Sequence, residues 1–225
     1  MIGDLLPDVV ATEVAYDDPP EARLEPDEEA VIARAAAKSG AKVVGKRRRE
    51  FTTARHCARA ALSRLGVAYR PIIPGHLGAP SWPDGVVGSL THCDGFRAAA
   101  VAHSRDLVSV GIDAEPALPL PDDVLDVIAL PGEQRRIAGL LAAAPHIPWD
   151  RILFSAKESV YKAWFPLAGK FLDFSEADLV LASDGTFSAR LLVPGPRVGD
   201  RRIDGFDGRW AVRDGLLATA IAVAH

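Results

Sequence analysis

Cysteine is scarce in this 225-residue chain. Cys57 and Cys93 stand far apart, without the spacing that a zinc knuckle or a disulfide framework requires. Long apolar runs are missing as well. No stretch reaches the roughly 18 residues needed to span a bilayer, and the apolar segment Leu216 to Ala224 reads as a core strand. The opening residues Met1 to Asp8 lack the basic start and apolar region of a secretory signal. A cytoplasmic, reducing setting away from membranes is the expectation. There is no low-complexity tract and no short-period repeat. His56, His76, His103, His146 and His225 are isolated from one another without metal-like spacing, so surface or packing roles are expected for them. Trp82, Trp149, Trp164 and Trp210 read as core anchors.

Net charge is only −4, so the molecule as a whole is no nucleic-acid binder. The basic charge is uneven, however. Lys46, Arg47, Arg48, Arg49, Arg55, Arg59 and Arg64 crowd one segment that contains a single acid, Glu50. Such a segment is either a solvated helix face or a local positive field suited to a phosphate-bearing ligand. The length suffices for one large domain or two small, closely packed ones.

An irregular, acidic opening carries one strand around Val9 to Ala15. Pro26-Asp27-Glu28-Glu29 starts a helix with acids in its first turn, where the dipole favours them. Ser39-Gly40 and Gly45 are expected to interrupt it. A second helix is expected from Lys46 to Leu65, with Phe51, Ala54, Ala58, Ala61, Leu62 and Leu65 on one buried face. After a turn-rich loop from Pro71 to Gly85, strands are expected at 86–91, 98–103 and 108–115. Helices follow at Pro131 to Ala143 and Trp149 to Phe165. Strands at 179–182, 186–193, 209–212 and 216–223 close the chain. Helix-then-strands occurs twice, with its midpoint near Arg105. The expected fold is therefore α+β, in two similar halves, 1–105 and 106–225.

Two stretches carry chemistry. Gly111-Ile112-Asp113-Ala114-Glu115 places two carboxylates on one face of a strand, and Pro116 biases Glu115 toward the extended conformation this needs. Such a pair is either two surface acids at a turn or a seat for a hard cation; Mg²⁺ accepts one or two carboxylates and keeps other positions for water and phosphate. In Phe154-Ser155-Ala156-Lys157-Glu158-Ser159-Val160-Tyr161-Lys162-Ala163, the residues Ala156, Val160 and Ala163 continue a core stripe that includes Leu153 and Trp164. Glu158 and Lys162 fall together on the far side, one turn apart. Lys157 lies near the side that should be buried, so it either snorkels or meets an anion.

These stretches resemble the phosphopantetheinyl transferases of the large, two-half type. The first is similar to that family's (V/I)-G-(V/I)-D-x-E and the second to its F-(S/C)-x-K-E-(S/A)-x-(Y/F)-K-A. Gly78, Pro80, Trp82-Pro83 and Ser89-Leu90-Thr91-His92 form a third block in the same order. Arg47 and Arg55-His56-Cys57-Ala58-Arg59 resemble the upstream basic helix, most like the actinobacterial branch. Pro74 stands where relatives often carry a lysine, and Thr91 replaces the more usual serine.

The resemblance implies two halves related by a pseudo-twofold axis, each with an antiparallel sheet and packed helices. It implies Asp113, Glu115 and Glu158 as Mg²⁺ ligands, with Glu158 also the general base. It places Lys162, and with it Lys157, on the diphosphate of coenzyme A, and Arg47, Arg55, Thr91 and His92 around the nucleotide and its 3′-phosphate. The implied reaction moves the phosphopantetheine arm to a serine of an acyl- or peptidyl-carrier protein and releases 3′,5′-ADP. Carrier domains are usually acidic, which makes the Arg59 to Arg64 region a candidate dock; a monomer is expected. A metal-dependent hydrolase of a nucleotide diphosphate, or a coenzyme A-binding module without activity, would use the same residues differently.

Overall fold

The first half begins with strand β1 (Ala11–Ala15), followed by helices α1 (Pro26–Ser39) and α2 (Ala41–Arg64) and the hairpin β2 (Val86–Cys93) and β3 (Phe96–His103). The computed structural model describes the whole backbone except Gly40, and all side chains outside residues 38–44. The second half repeats the pattern with strand β4 (Ser109–Pro116), helices α3 (Val124–Ile128), α4 (Pro131–Ala143) and α5 (Trp149–Ala168), and then strands β5 (Ala177–Leu181) and β6 (Thr186–Leu191). A two-residue ladder, β7 (Arg197–Val198) with β8 (Arg201–Arg202), precedes the last hairpin, β9 (Gly205–Arg213) and β10 (Leu216–Val223).

Strand order shows the repeat. The first sheet runs β1-β3-β2 and the second β4-β10-β9-β6-β5, with every pairing antiparallel. In both, the final strand is flanked by the opening strand and by its own hairpin partner. The fold is α+β in two similar halves, as the periodicity implied. The second half adds β5 and β6 at its far edge.

Four layers result. Cys57, Ala58, Ala61 and Leu62 of α2 pack on Ala99 and Val101 of β3. The opposite face of β3, Ala98, Ala100 and Ala102, meets Val110, Ile112 and Ala114 of β4 and Ala218 and Ala220 of β10. Ile2 and Leu6 join this inner layer from the amino-terminal turn. Behind the second sheet, Ile152, Leu153, Ala156, Val160 and Trp164 of α5 close the largest core. Removal of these apolar faces from water is the main driving force for the arrangement.

Two features fix α5 on its sheet. A Cβ on Gly111 would lie 2.1 Å from the Ser159 carbonyl oxygen, so only glycine lets the strand approach the helix this closely. Buried hydroxyls then join the layers. The Ser109 hydroxyl donates to the Ala163 carbonyl at 2.7 Å. Thr219 donates to the Ser155 carbonyl at 2.9 Å and lies 2.6 Å from the Ser159 hydroxyl. The helix ends at Gly169, whose φ of +65° lets its N–H reach the Phe165 carbonyl. Pro166 sits in that last turn without ending the helix sooner.

Some boundaries differ from expectation. The break expected at Ser39-Gly40 concerns Gly40, which lies outside the described residues; Gly45 interrupts nothing, because α2 runs through it. One glycine costs a helix only about 1 kcal/mol, which the packed face of α2 outweighs. Helix α3 and the β7–β8 ladder are too short to leave a periodic trace in the sequence. Strand β9 starts at Gly205, four residues earlier than its apolar pattern suggested.

Candidate active site

The two sheets meet edge to edge where β2 runs beside β4. The outward N–H groups of β4 are satisfied there by side chains: Ile112 N–H donates to the Ser89 hydroxyl at 3.1 Å and Ala114 N–H to that of Thr91 at 3.0 Å. The Thr91 hydroxyl in turn donates to Asp113 Oδ1 at 3.2 Å. Thr91 was expected beside the nucleotide; it is buried and its hydroxyl is spent on this seam instead. The seam places the acids of β4 opposite α5.

Asp113 is 5% exposed. Its Oδ1 takes the Lys162 ammonium at 2.7 Å, and the same ammonium donates to the Ile112 carbonyl at 3.1 Å. Its Oδ2 is buried with no hydrogen-bond partner. An unpaired carboxylate oxygen at such a site is costly unless a cation or a donor completes it. Glu115, two residues on, binds Arg151 of α5 through Oε2 at 3.1 Å. Burial first, and Asp113 second, raise the Glu115 carboxyl above its ordinary value, while Arg151 pulls it down.

Glu158 is half-buried on α5 and unpaired among the described hydrogen bonds. Desolvation raises its carboxyl above the ordinary range, Lys162 opposes this, and Asp113 adds to it. These four groups therefore share one electrostatic neighbourhood. The expected cage of three carboxylates does not form as the side chains lie, for no three acid, histidine or cysteine groups stand at metal-binding spacing among the described residues. Lys162 and Arg151 each occupy one acid. The donor set still fits a hard cation at Asp113 Oδ2 with Glu115 beside it, since Mg²⁺ needs only one or two carboxylates when phosphate and water supply the rest.

Beside Glu158 lies a cavity of about 100 Å³, walled by Val160, Tyr161, Phe171, Leu172 and Phe174. Lys157 also borders it, but its charge points inward. It is 3% exposed, 2.9 Å from Glu133 Oε2, and donates to the carbonyls of Phe174 at 2.7 Å and Ala177 at 3.0 Å. All three ammonium protons are thus engaged, and Lys157 leaves the set of expected diphosphate ligands. Glu133 completes the clamp by accepting the N–H groups of Leu130 and Leu179.

The first half contains the same device. Arg55 is 7% exposed and donates through Nε and Nη2 to the Ile72 carbonyl, 17 residues on, as Lys157 does to Phe174 at the same separation. The fully buried Glu28 accepts the Ile72 N–H at 2.9 Å, as Glu133 accepts that of Leu179. Burial brings the Arg55 guanidinium down to about 10, still charged at neutral pH, and it lies 3.5 Å from the Phe51 ring centroid. Most of its fork serves the fold.

Arg47 and His92 face outward. His92 is on the α2 side of β2 with its side chain 55% exposed and Nε2 3.6 Å from Glu50. Surrounding protein pushes its imidazole below the ordinary value, against the pull of Glu50. Cys93 follows it, and burial with the acids Glu115 and Asp113 raises that thiol to about 12, which removes any nucleophilic role at neutral pH. Arg59 and Arg64, expected as a docking patch, both make contacts within the chain, while the Arg64 side chain stays 60% exposed. Arg59 stacks over Tyr69 and holds the Arg23 carbonyl, while Arg64 pairs with Glu13.

The residues that sequence reasoning missed are Arg151, Glu133 and Glu28, and the hydroxyls of Ser155 and Ser159. Arg151 had a legible signal: it stands seven residues before Glu158 and eleven before Lys162, two and three helical turns along one face.

Residues 27–102 match the family model of the 4′-phosphopantetheinyl transferase N-terminal domain, and residues 109–212 that of the 4′-phosphopantetheinyl transferase superfamily. The 4′-phosphopantetheinyl transferase Svp of Streptomyces mobaraensis is 59% identical over all of this chain and 89% of its own length. PptT of Mycobacterium tuberculosis is 45% identical, covering 99% of this chain and 98% of that protein. Npt of Nocardia iowensis is 46% identical over the full length of both. With family models matched over both halves and relatives 45–59% identical over nearly the whole chain, the chain belongs to the 4′-phosphopantetheinyl transferase superfamily and is an enzyme of that class.

Proposed function

We propose that the protein moves the 4′-phosphopantetheine arm of coenzyme A to a serine hydroxyl of an acyl- or peptidyl-carrier protein and releases 3′,5′-ADP. The observation that carries this reading is the placement of Glu158 beside Lys162 and Asp113, with Asp113 Oδ2 left without a partner among the described residues.

A serine hydroxyl is a weak nucleophile and needs a base within reach. Glu158, with its proton affinity raised by burial, would take the serine proton as the oxygen attacks the phosphorus that bears pantetheine. The bond from that phosphorus to the bridging oxygen breaks, and the electron pair leaves on 3′,5′-ADP. Lys162, on releasing Asp113, would neutralise the charge that gathers on the leaving phosphate. Mg²⁺, held by Asp113 and Glu115, would supply further neutralisation of the diphosphate. The cavity beside Glu158 would take the pantetheine chain, with Tyr161 and Phe171 along it. Arg47, His92 and the remaining nitrogen of Arg55 would hold the 3′-phosphate, placing remote binding energy where it orients the donor.

On this reading residues 1–105 supply the nucleotide side and 106–225 the metal and base, so one chain holds the whole site and a monomer suffices. No described helix is long and apolar enough to cross a membrane, and a cytoplasmic location suits the supply of coenzyme A. Incubation with coenzyme A, Mg²⁺ and an apo carrier domain tests the proposal. Intact-mass spectrometry should show the carrier heavier by one phosphopantetheine arm, and an unmodified carrier would contradict it.

A further inference from the structure

Arg151 has no place in the reaction described so far, yet it is the best anchored cation near the acids. It lies in the first turn of α5 and is only 16% exposed. All three of its guanidinium nitrogens are engaged: Nε donates to the Leu118 carbonyl at 3.1 Å, Nη2 to the Pro119 carbonyl at 2.9 Å, and Nη1 to Glu115 Oε2 at 3.1 Å. Two of the three acceptors are main-chain oxygens in a stretch held by Pro116, Pro119 and Pro121, where φ is restricted. The neighbouring Asp150 fixes the same stretch separately, accepting the Leu120 N–H at 2.8 Å.

A planar fork pinned at two points can hold its third acceptor in only one place. Glu115 therefore keeps Oε2 on Arg151 and turns Oε1 away from it. Helix geometry puts Arg151 about 10 Å along the α5 axis from Glu158 and about 16 Å from Lys162, on the same face. Lys162 holds Asp113 and Arg151 holds Glu115, with Glu158 between them. The two cations differ in what they can give up. Lys162 has a flexible stem and is free to exchange Asp113 for a phosphate. Arg151 is tied to the backbone and stays with its acid.

We propose that Arg151 is a positioning residue for the metal site: it clamps one oxygen of Glu115 so that the carboxylate meets a divalent cation through the other oxygen alone, beside Asp113 Oδ2. The inference rests on the reading that Asp113 and Glu115 take such a cation. Groups that orient a metal ligand in this way typically contribute a factor of about 10 to 100 in affinity.

The test is calorimetric titration of Mn²⁺ into the full chain without coenzyme A, with thermal unfolding of each variant recorded alongside. Arg151→Met should weaken Mn²⁺ by about 10- to 100-fold. Arg151→Lys, which keeps charge and stem but loses the fork, should fall between it and the unaltered protein. Asp150→Ala, which removes the acceptor of the Leu120 N–H and so loosens the same proline-rich stretch without touching Glu115, should stay close to the unaltered protein. Once Glu115→Gln is in place, adding Arg151→Met should cost little more, because the two act through one carboxylate. Undiminished affinity in both Arg151 variants would overturn the proposal, and so would an equal loss in Asp150→Ala. Failure of the unaltered protein to bind Mn²⁺ would remove the metal site itself, a result distinct from either.

Discussion

At the scale of single residues, charge placement decides the roles. Glu158 combines an unpaired carboxylate, a desolvated setting and a neighbouring lysine. Glu158→Gln should therefore reduce transfer by a factor of about 10² to 10⁴ while coenzyme A still binds, as measured by single-turnover assay against equilibrium binding. Loss of binding in parallel would make it a structural acid. His92 gives a pH test with a defined sign. Its imidazole lies below the ordinary value in the free protein, so it is neutral near pH 7. A bound phosphate would favour the charged form and raise that value, so binding takes up a proton. Affinity for coenzyme A should then rise as pH falls from about 8 to about 6, the range in which histidine titrates. His92→Gln should remove the part of that rise that dephospho-coenzyme A lacks; an identical slope in the variant would take His92 off the 3′-phosphate. Lys157 and Thr91 show why residue type alone misleads. A lysine beside Glu158 and a hydroxyl beside a histidine both suggested ligand contact. The acceptors that engage them, Glu133 and the Phe174 carbonyl in one case and Asp113 in the other, become neighbours only in the folded chain.

At the scale of elements, α5 is the part on which the site depends, and its seating can be perturbed from two sides. Gly111→Ala would push a methyl group into the Ser159 carbonyl. About 1–3 kcal/mol of overpacking is expected, and transfer should fall with it because Glu158 rides on the same turn. Denaturant unfolding and activity should move together; an unaffected variant would mean the strand can retreat freely. The clamp of Glu133 with Lys157 separates charge from packing. Glu133→Leu alone leaves a buried ammonium without its carboxylate and should cost about 3–5 kcal/mol. Adding Lys157→Met should restore only the part due to the unpaired ammonium, because the Leu130 and Leu179 N–H groups that Glu133 accepted stay without a partner. If the double variant stays as unstable as the single, the pair contributes more than mutual neutralisation. The α5 core stripe was legible because 3.6-residue periodicity places Leu153, Ala156, Val160 and Trp164 together. The partners of its buried polar residues were not, because Thr219, Glu133 and Ser109 lie far away in sequence. The length of α2 was misjudged for a related reason: a glycine weighs against a helix locally, whereas packing on β3 is decided by the whole face.

At the scale of the whole molecule, the same strand–helix–strand–strand unit is used twice. Both keep a buried acid at the third position of a helix, Glu28 in α1 and Glu133 in α4, and both keep a buried base 17 residues before the carbonyl it holds. That repetition explains why Arg55 and Lys157 are inward-facing despite their place in recognisable motifs. The two-half organisation was readable from the order of periodic segments, and the acids of β4 and the turn of α5 from their spacing. The edge-to-edge seam between β2 and β4 was not, because it is made by side-chain hydroxyls rather than a ladder. The central proposal is that this seam assembles a site which passes the arm of coenzyme A to a carrier rather than to water. Intact-mass spectrometry of an apo carrier domain, with 3′,5′-ADP quantified in the same reaction, measures this most directly. One arm gained per ADP released, abolished by Glu158→Gln, is the predicted result. Cleavage of coenzyme A with the carrier unchanged would contradict it, and so would binding of coenzyme A with neither product formed.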